Sequence, residues 1–143
     1  SRRQRQMCIR DSFSNVGLGI VHSMAHPLGA FYDTPHGVAN ATLLPYVMEY
    51  NAESPSRAKY LDIARAMGVK TDGMSVDEGV RAAVDAVKAL SLSIRIPQRL
   101  HELGVREEDI PGLAVAAFND VCTGGNPRPT SVEEIERLYH IAY

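Results

Sequence analysis

Cysteine is scarce. Cys8 and Cys122 are the only two in 143 residues, too few for a disulfide framework or a four-cysteine zinc site. Long apolar runs are missing as well. Uninterrupted stretches such as Leu113 to Phe118 fall far short of a bilayer span. No charge of one sign dominates, and a formal net charge of −2 supplies no field that would draw in nucleic acid. Period-two alternation, internal repeats and low-complexity tracts are not found either. What remains is 45% hydrophobic and 22% charged, the balance of an ordinary globular protein, which excludes collagen, coiled-coil and disordered classes. A chain of this length can bury roughly two-thirds of its unfolded surface. The expectation is one soluble, cytoplasmic domain or less, with no nucleic-acid or membrane partner.

The first twelve residues, SRRQRQMCIRDS, stand apart and carry four of the fifteen basic residues. Four arginines without lysines or interleaved aromatics make a poor nucleic-acid arm. No apolar core follows them, so they do not form a secretory signal. The stretch reads instead as the in-frame translation of a sequencing adapter. Native sequence is then expected to begin near Phe13, and residues 13–143 to be a mildly acidic fragment.

From Phe13 onward the signals are helical. Phe13 to His26 is apolar with small residues, predicting a buried helix that stops before Pro27. Thr34 and Pro35 resemble an N-cap and first-turn proline opening a helix to about Tyr50, which Pro45 should bend or divide. Ser54-Pro55 precedes a short helix that stops at Gly68. Ser75 with Glu78, and Ser131 with Glu134, have capping-box spacing ahead of apolar residues at helical intervals. Shorter helices are expected over Pro97 to Leu103, ended by Gly104, and over Glu107 to Val121. A Gly-, Asn- and Pro-rich loop follows from Cys122 to Pro129. This is an all-α helical bundle.

The chemistry concentrates between Gly17 and Ala41, which holds three of the five histidines. His22 and His26 are four apart, so a helix projects them from one face. Neutral imidazole is a good ligand for borderline divalent metals. His36 lies in the first turn of the next helix, where an antiparallel turn brings it back beside His22. Gly19, Ala25, Gly29, Ala30, Gly37, Ala39 and Ala41 line both segments with small side chains, permitting close approach of a neighbouring helix or a ligand. Gly17-Leu18-Gly19 is not a dinucleotide fingerprint, because the third glycine and a preceding strand are missing. His101 and His140 sit beside charged neighbours and are expected to be solvated. Cys122 is expected to be a packed thiol.

The pattern Gly19-x-Val21-His22-x-x-Ala25-His26-Pro27-Leu28-Gly29-Ala30, followed by Thr34-Pro35-His36-Gly37-x-Ala39, closely resembles the second signature of the iron-dependent (group III) alcohol dehydrogenases. Within that family it is similar to the lactaldehyde reductase and 1,3-propanediol dehydrogenase branch. Asn40 to Asn51, Arg95-Ile96-Pro97 and Cys122 to Arg128 also look like the family, so the likeness runs from Phe13 to Tyr143. It implies the C-terminal part of the family's helical domain, within the dehydroquinate synthase-like superfamily. An N-terminal α/β domain for NAD(P) would lie upstream of this chain.

The resemblance also implies site roles. His22 and His36 match two of the four family metal ligands; the other two, an aspartate and a histidine, would lie upstream. His26 matches a further cleft histidine that relays a proton or positions the alcohol. The implied metal is Fe2+, with Zn2+ as the alternative. The implied reaction is hydride transfer between a primary alcohol or diol and NAD(P), or the reverse from an aldehyde. Leu28 and Phe31 would help exclude water, Asp120 falls outside the signature, and the full-length parent would be a homo-oligomer. The fragment alone is expected to be inactive. The competing reading is a non-catalytic, stand-alone helical metal-binding or interaction module, whose site would be completed locally, with Asp33 as the candidate.

Overall fold

The computed structural model describes residues 19–121 and 123–143. The expectations for the first twelve residues, for the helix start at Phe13 to Leu18, and for Cys122 lie outside the described residues. Six α-helices carry the fold: α1 (Gly19–Tyr32), α2 (His36–Asn51), α3 (Lys59–Ala66), α4 (Val76–Ser93), α5 (Ile110–Phe118) and α6 (Val132–Ala142). Short 3-10 turns fill most of the connections, and no strand occurs among the described residues. The all-α expectation therefore holds.

Helix α1 is central. It packs against α2 and α5, α5 against α6, and α2 extends to α6 and α4, which pairs with α3. The main core joins Ile20, Met24 and Leu28 of α1 to Leu43 of α2, Leu113 of α5 and Tyr139 of α6, all fully buried. A smaller cluster of Met48, Ala52, Tyr60, Ala64, Ala83 and Val84 lies between α2, α3 and α4. Among the described residues no helix is long and apolar enough to cross a membrane.

Two sequence expectations need correction. Helix α1 does not stop before Pro27 but runs through it to Tyr32; of the two outcomes expected at Pro45, bending or division, α2 is not divided. A proline inside a helix costs about 3 kcal/mol. Each large apolar side chain buried beyond it returns roughly 1.5–3 kcal/mol. Leu28 lies beyond Pro27, and Val47 and Met48 lie beyond Pro45; all are buried. Continuation also keeps the remaining helical hydrogen bonds, which decides the balance. Helix α1 instead ends where Asp33 takes a left-handed backbone (φ 56), with its N–H on the Gly29 carbonyl at 3.1 Å. Thr34 is not the cap of α2. Pro35 occupies that position without a side-chain hydrogen bond, and Thr34 is buried. The serine caps are formed, with Ser75 Oγ accepting from the Glu78 N–H and Ser131 Oγ from the Glu134 N–H.

Candidate active site

The tight turn over Asp33 to Pro35 folds α2 back along α1, and this brings His36 to the histidines of α1. His22 is half-buried, while His26 and His36 are exposed. The His22 and His36 ring centres are 5.5 Å apart with the planes tilted by 50°. His26 lies 5.1 Å from His36 with the planes only 20° apart, and 6.4 Å from His22. The sequence expectation that these three residues meet is therefore met in space.

Two imidazoles that share one ion through bonds of about 2.1 Å have ring centres roughly 5 Å apart. The tilted His22–His36 pair suits that arrangement. The His26–His36 pair is stacked instead. Although His36 is exposed overall, partial desolvation of its ring holds the imidazole below its ordinary pKa, and His26 and His22 push it the same way. The Asn40 amide nitrogen lies 3.0 Å from His36 Nε2, so the lone pair of that ring nitrogen is engaged by Asn40 in this arrangement. The lowered pKa favours neutral imidazole, and an ion at Nε2 would have to displace the Asn40 contact.

Two imidazoles make half of a four-ligand site. Among the described residues, no group of three or more His, Cys, Asp or Glu side chains is arranged to hold a metal ion. Asp33, the residue the stand-alone module needs, is exposed and enters no such group. Leu28 is wholly within the core, and Phe31 is 57% exposed. His101 and His140 are exposed, as expected. His101 packs edge-on to Tyr143, and His140 lies 3.9 Å from both Glu107 and Glu136.

The sequence reading set Asp120 aside, yet its Oδ2 is 2.7 Å from His26 Nδ1. No local spacing signals this contact, because 94 residues separate the partners. The turn that carries Asp120 runs beside α1. Thr123 Oγ1 pairs with Ser23 Oγ at 2.9 Å, and the Asn126 side-chain oxygen accepts from the Ile20 N–H at 3.3 Å. Asn126 also exchanges amide hydrogen bonds with Asn51 at 2.8 and 3.0 Å. An open cavity of about 540 Å³ follows this loop, lined by Phe118, Asp120, Thr123 and Asn126 among others.

Comparisons with known proteins place this geometry in context. Residues 8–143 match the sequence model of the Fe-containing alcohol dehydrogenase family, C-terminal part. The lactaldehyde reductase of Escherichia coli (strain K12) is 64% identical over 131 residues, which is 92% of this chain and 34% of that protein. The 1,3-propanediol dehydrogenase of Citrobacter freundii is 46% identical over 132 residues, with the same coverage of each chain. In three dimensions the chain superposes on a 1,3-propanediol oxidoreductase with a TM-score of 0.85 and 44% identity, covering 87% of this chain and 32% of that one. An alcohol dehydrogenase from Oenococcus oeni gives 0.84 and 39%, again over 87% and 32%. The chain thus spans about a third of the length of the curated relatives it matches.

Proposed function

The chain belongs to the Fe-containing alcohol dehydrogenase family, and on that premise we propose that it is the C-terminal helical portion of an NAD(P)-dependent alcohol dehydrogenase. Its substrate class is a small primary alcohol or diol, or the corresponding aldehyde. The observation that carries the reading is the meeting of His22, His26 and His36 across the α1–α2 turn. The names of the relatives, a lactaldehyde reductase and 1,3-propanediol dehydrogenases, support the substrate class.

His22 and His36 would hold the metal, Fe2+ or alternatively Zn2+, together with an aspartate and a histidine supplied upstream. The ion they would help hold would supply Lewis-acid chemistry at the substrate oxygen, with NAD(P) bound upstream as the hydride carrier. His26, exposed beside His36, would hold or move the hydroxyl proton. The proposed domain division follows: residues 13–143 are part of the helical metal-binding domain, the first twelve residues are foreign to it, and cofactor binding belongs upstream.

The test is metal content and alcohol-dependent NAD(P)H formation in the full-length protein. His22→Ala and His36→Ala should each lower bound iron at least roughly tenfold, as loss of a direct ligand requires, and abolish turnover. His26→Ala should keep the iron and slow turnover by roughly 10²–10⁴-fold. Stoichiometric iron in both ligand variants would sink the assignment.

A further inference from the structure

The contact between Asp120 and His26 is more than a surface ion pair in its construction. Helix α1 presents Ile20, Ser23 and His26 at intervals of three residues, which places them along one side of the helix. The segment following α5 meets all three: Asn126 at the Ile20 N–H, Thr123 at the Ser23 hydroxyl, and Asp120 at the His26 ring. Asp120 is itself held by the helix end, its N–H on the Ala117 carbonyl at 3.1 Å, while its own carbonyl accepts from the Thr123 N–H at 3.2 Å. The Thr123 hydroxyl also donates to the Ala117 carbonyl at 2.7 Å. The carboxylate is mostly covered, 17% exposed against 42% for the His26 side chain. Its position relative to α1 is thus set by the same loop that clamps Ser23 and Ile20.

A carboxylate has lone pairs and no hydrogen to give, so the His26 nitrogen facing it must carry the proton. At 2.7 Å that nitrogen is Nδ1. In neutral imidazole the other nitrogen, Nε2, is then the one with the lone pair. We propose that Asp120 is a positioning residue for His26, fixing its ring orientation and the Nδ1–H tautomer so that Nε2 is the nitrogen left to meet a substrate hydroxyl. This rests on the dehydrogenase reading for its consequence in turnover, but the tautomer itself does not. The carboxylate that orients the histidine of a catalytic triad works by the same principle, where loss of the carboxylate leaves the wrong tautomer.

The experiment uses the full-length protein, zinc-loaded and labelled with 15N at histidine, and reads the His26 ring by long-range 1H–15N correlation. Native protein should show a protonated Nδ1 and a lone-pair Nε2. In Asp120→Asn the Nε2–H tautomer should appear, since an amide N–H can face a bare Nδ1. In the active enzyme, Asp120→Asn should lower kcat roughly 10–100-fold with metal content retained and the alcohol KM little changed. Asp120→Glu should recover part of the loss. In a His26→Ala background, replacing Asp120 should change nothing further. An Nε2–H tautomer in the native protein overturns the proposal. So does an equal loss from Asp120→Asn with and without His26, which would mark a merely structural role, or loss of the metal, which would make Asp120 part of its binding set. If the native protein oxidises no alcohol, the dehydrogenase reading fails by itself, and the tautomer spectrum still decides the role of Asp120.

Discussion

The Tyr139 hydroxyl lies in the core, 2.6 Å from the Met24 carbonyl, and both residues are fully buried. The carbonyl that Pro27 leaves without its helical donor is that of Ser23; Tyr139 reaches the next one along and ties α1 to α6 at that turn. Burial pushes the Tyr139 phenol well above its ordinary pKa, so it keeps its hydrogen throughout the working range. Tyr139→Phe should cost about 1–2 kcal/mol, the penalty of a buried hydrogen bond removed while one partner stays. Chemical denaturation checks this, and a variant as stable as the native chain would show that the carbonyl is satisfied without it. A second phenol works through charge. Tyr32 donates to Asp109, and this hydrogen bond, followed by Arg106, holds the Asp109 carboxyl below its ordinary value against the opposing effect of burial. A depressed folded-state pKa contributes stability above the unfolded carboxyl value of ~4 and loses it as pH falls through the lower folded value. Tyr32→Phe should therefore be destabilised relative to native at neutral pH, with the gap closing below about pH 4. A gap independent of pH would mean that packing, not the carboxylate, carries the effect. At this scale His22, His26 and His36 were legible because local spacing and one short turn bring them together. Asp120 was not, because only the packing of α5 on α1 delivers it.

Elements follow their own rules, and where two rules conflict the magnitudes decide. The serine caps at Ser75 and Ser131 were legible because a cap is a contact between residues three apart. The run of α1 through Pro27 was not, because local propensity says stop while a core formed by distant residues says continue. Gly19 shows the same limit. It opens α1 with a positive φ of 64, and an added Cβ would come within 3.1 Å of the Asn126 side-chain oxygen. The sequence reading took its small size as a sign of close approach, and the partner is a loop more than a hundred residues away. Gly79 poses the sharpest conflict. It sits buried in α4, and a Cβ there would fall 2.4 Å from Leu61 Cδ2 and 2.8 Å from Leu61 Cγ. Alanine gains up to about 1 kcal/mol in helix propensity over glycine. Overpacking costs about 1–3 kcal/mol. Leu61 must change rotamer or α3 must shift, because its Cγ as well as its methyl meets the new atom and its Cα lies only 3.5 Å away. Gly79→Ala should therefore be net destabilising by about 1 kcal/mol, read as a lower midpoint in urea. A raised midpoint would show that α3 slides freely on α4.

Across the whole molecule the two apolar clusters differ in kind. The main one draws on α1, α2, α5 and α6 and on the Leu100–Val105 segment, and it includes Ile20, Leu28, Leu43, Leu113, Ile135 and Tyr139. The smaller one has Ala52, Ala64 and Ala83 among its six buried residues. Burying a large apolar side chain returns roughly 1.5–3 kcal/mol, whereas an alanine methyl returns far less. Leu90, Leu92 and Ile94, toward the end of α4, add little, since each is more than half exposed. The α3–α4 pair should therefore open locally at a lower free energy than the α1–α5–α6 body. All three histidines sit on α1 and α2, so the site rides on the better-packed part of the fold. Native-state hydrogen exchange tests this division. Amides in the middle of α3 and α4 should exchange through openings of distinctly lower free energy than those of Met24 to Leu28, Leu113 to Ala117 and Leu138 to Tyr139. Equal protection across both groups would mean that α2, which spans the two clusters, couples them into one cooperative unit. In that case loosening α3 by substitution should also loosen the turn that holds His36 beside His22.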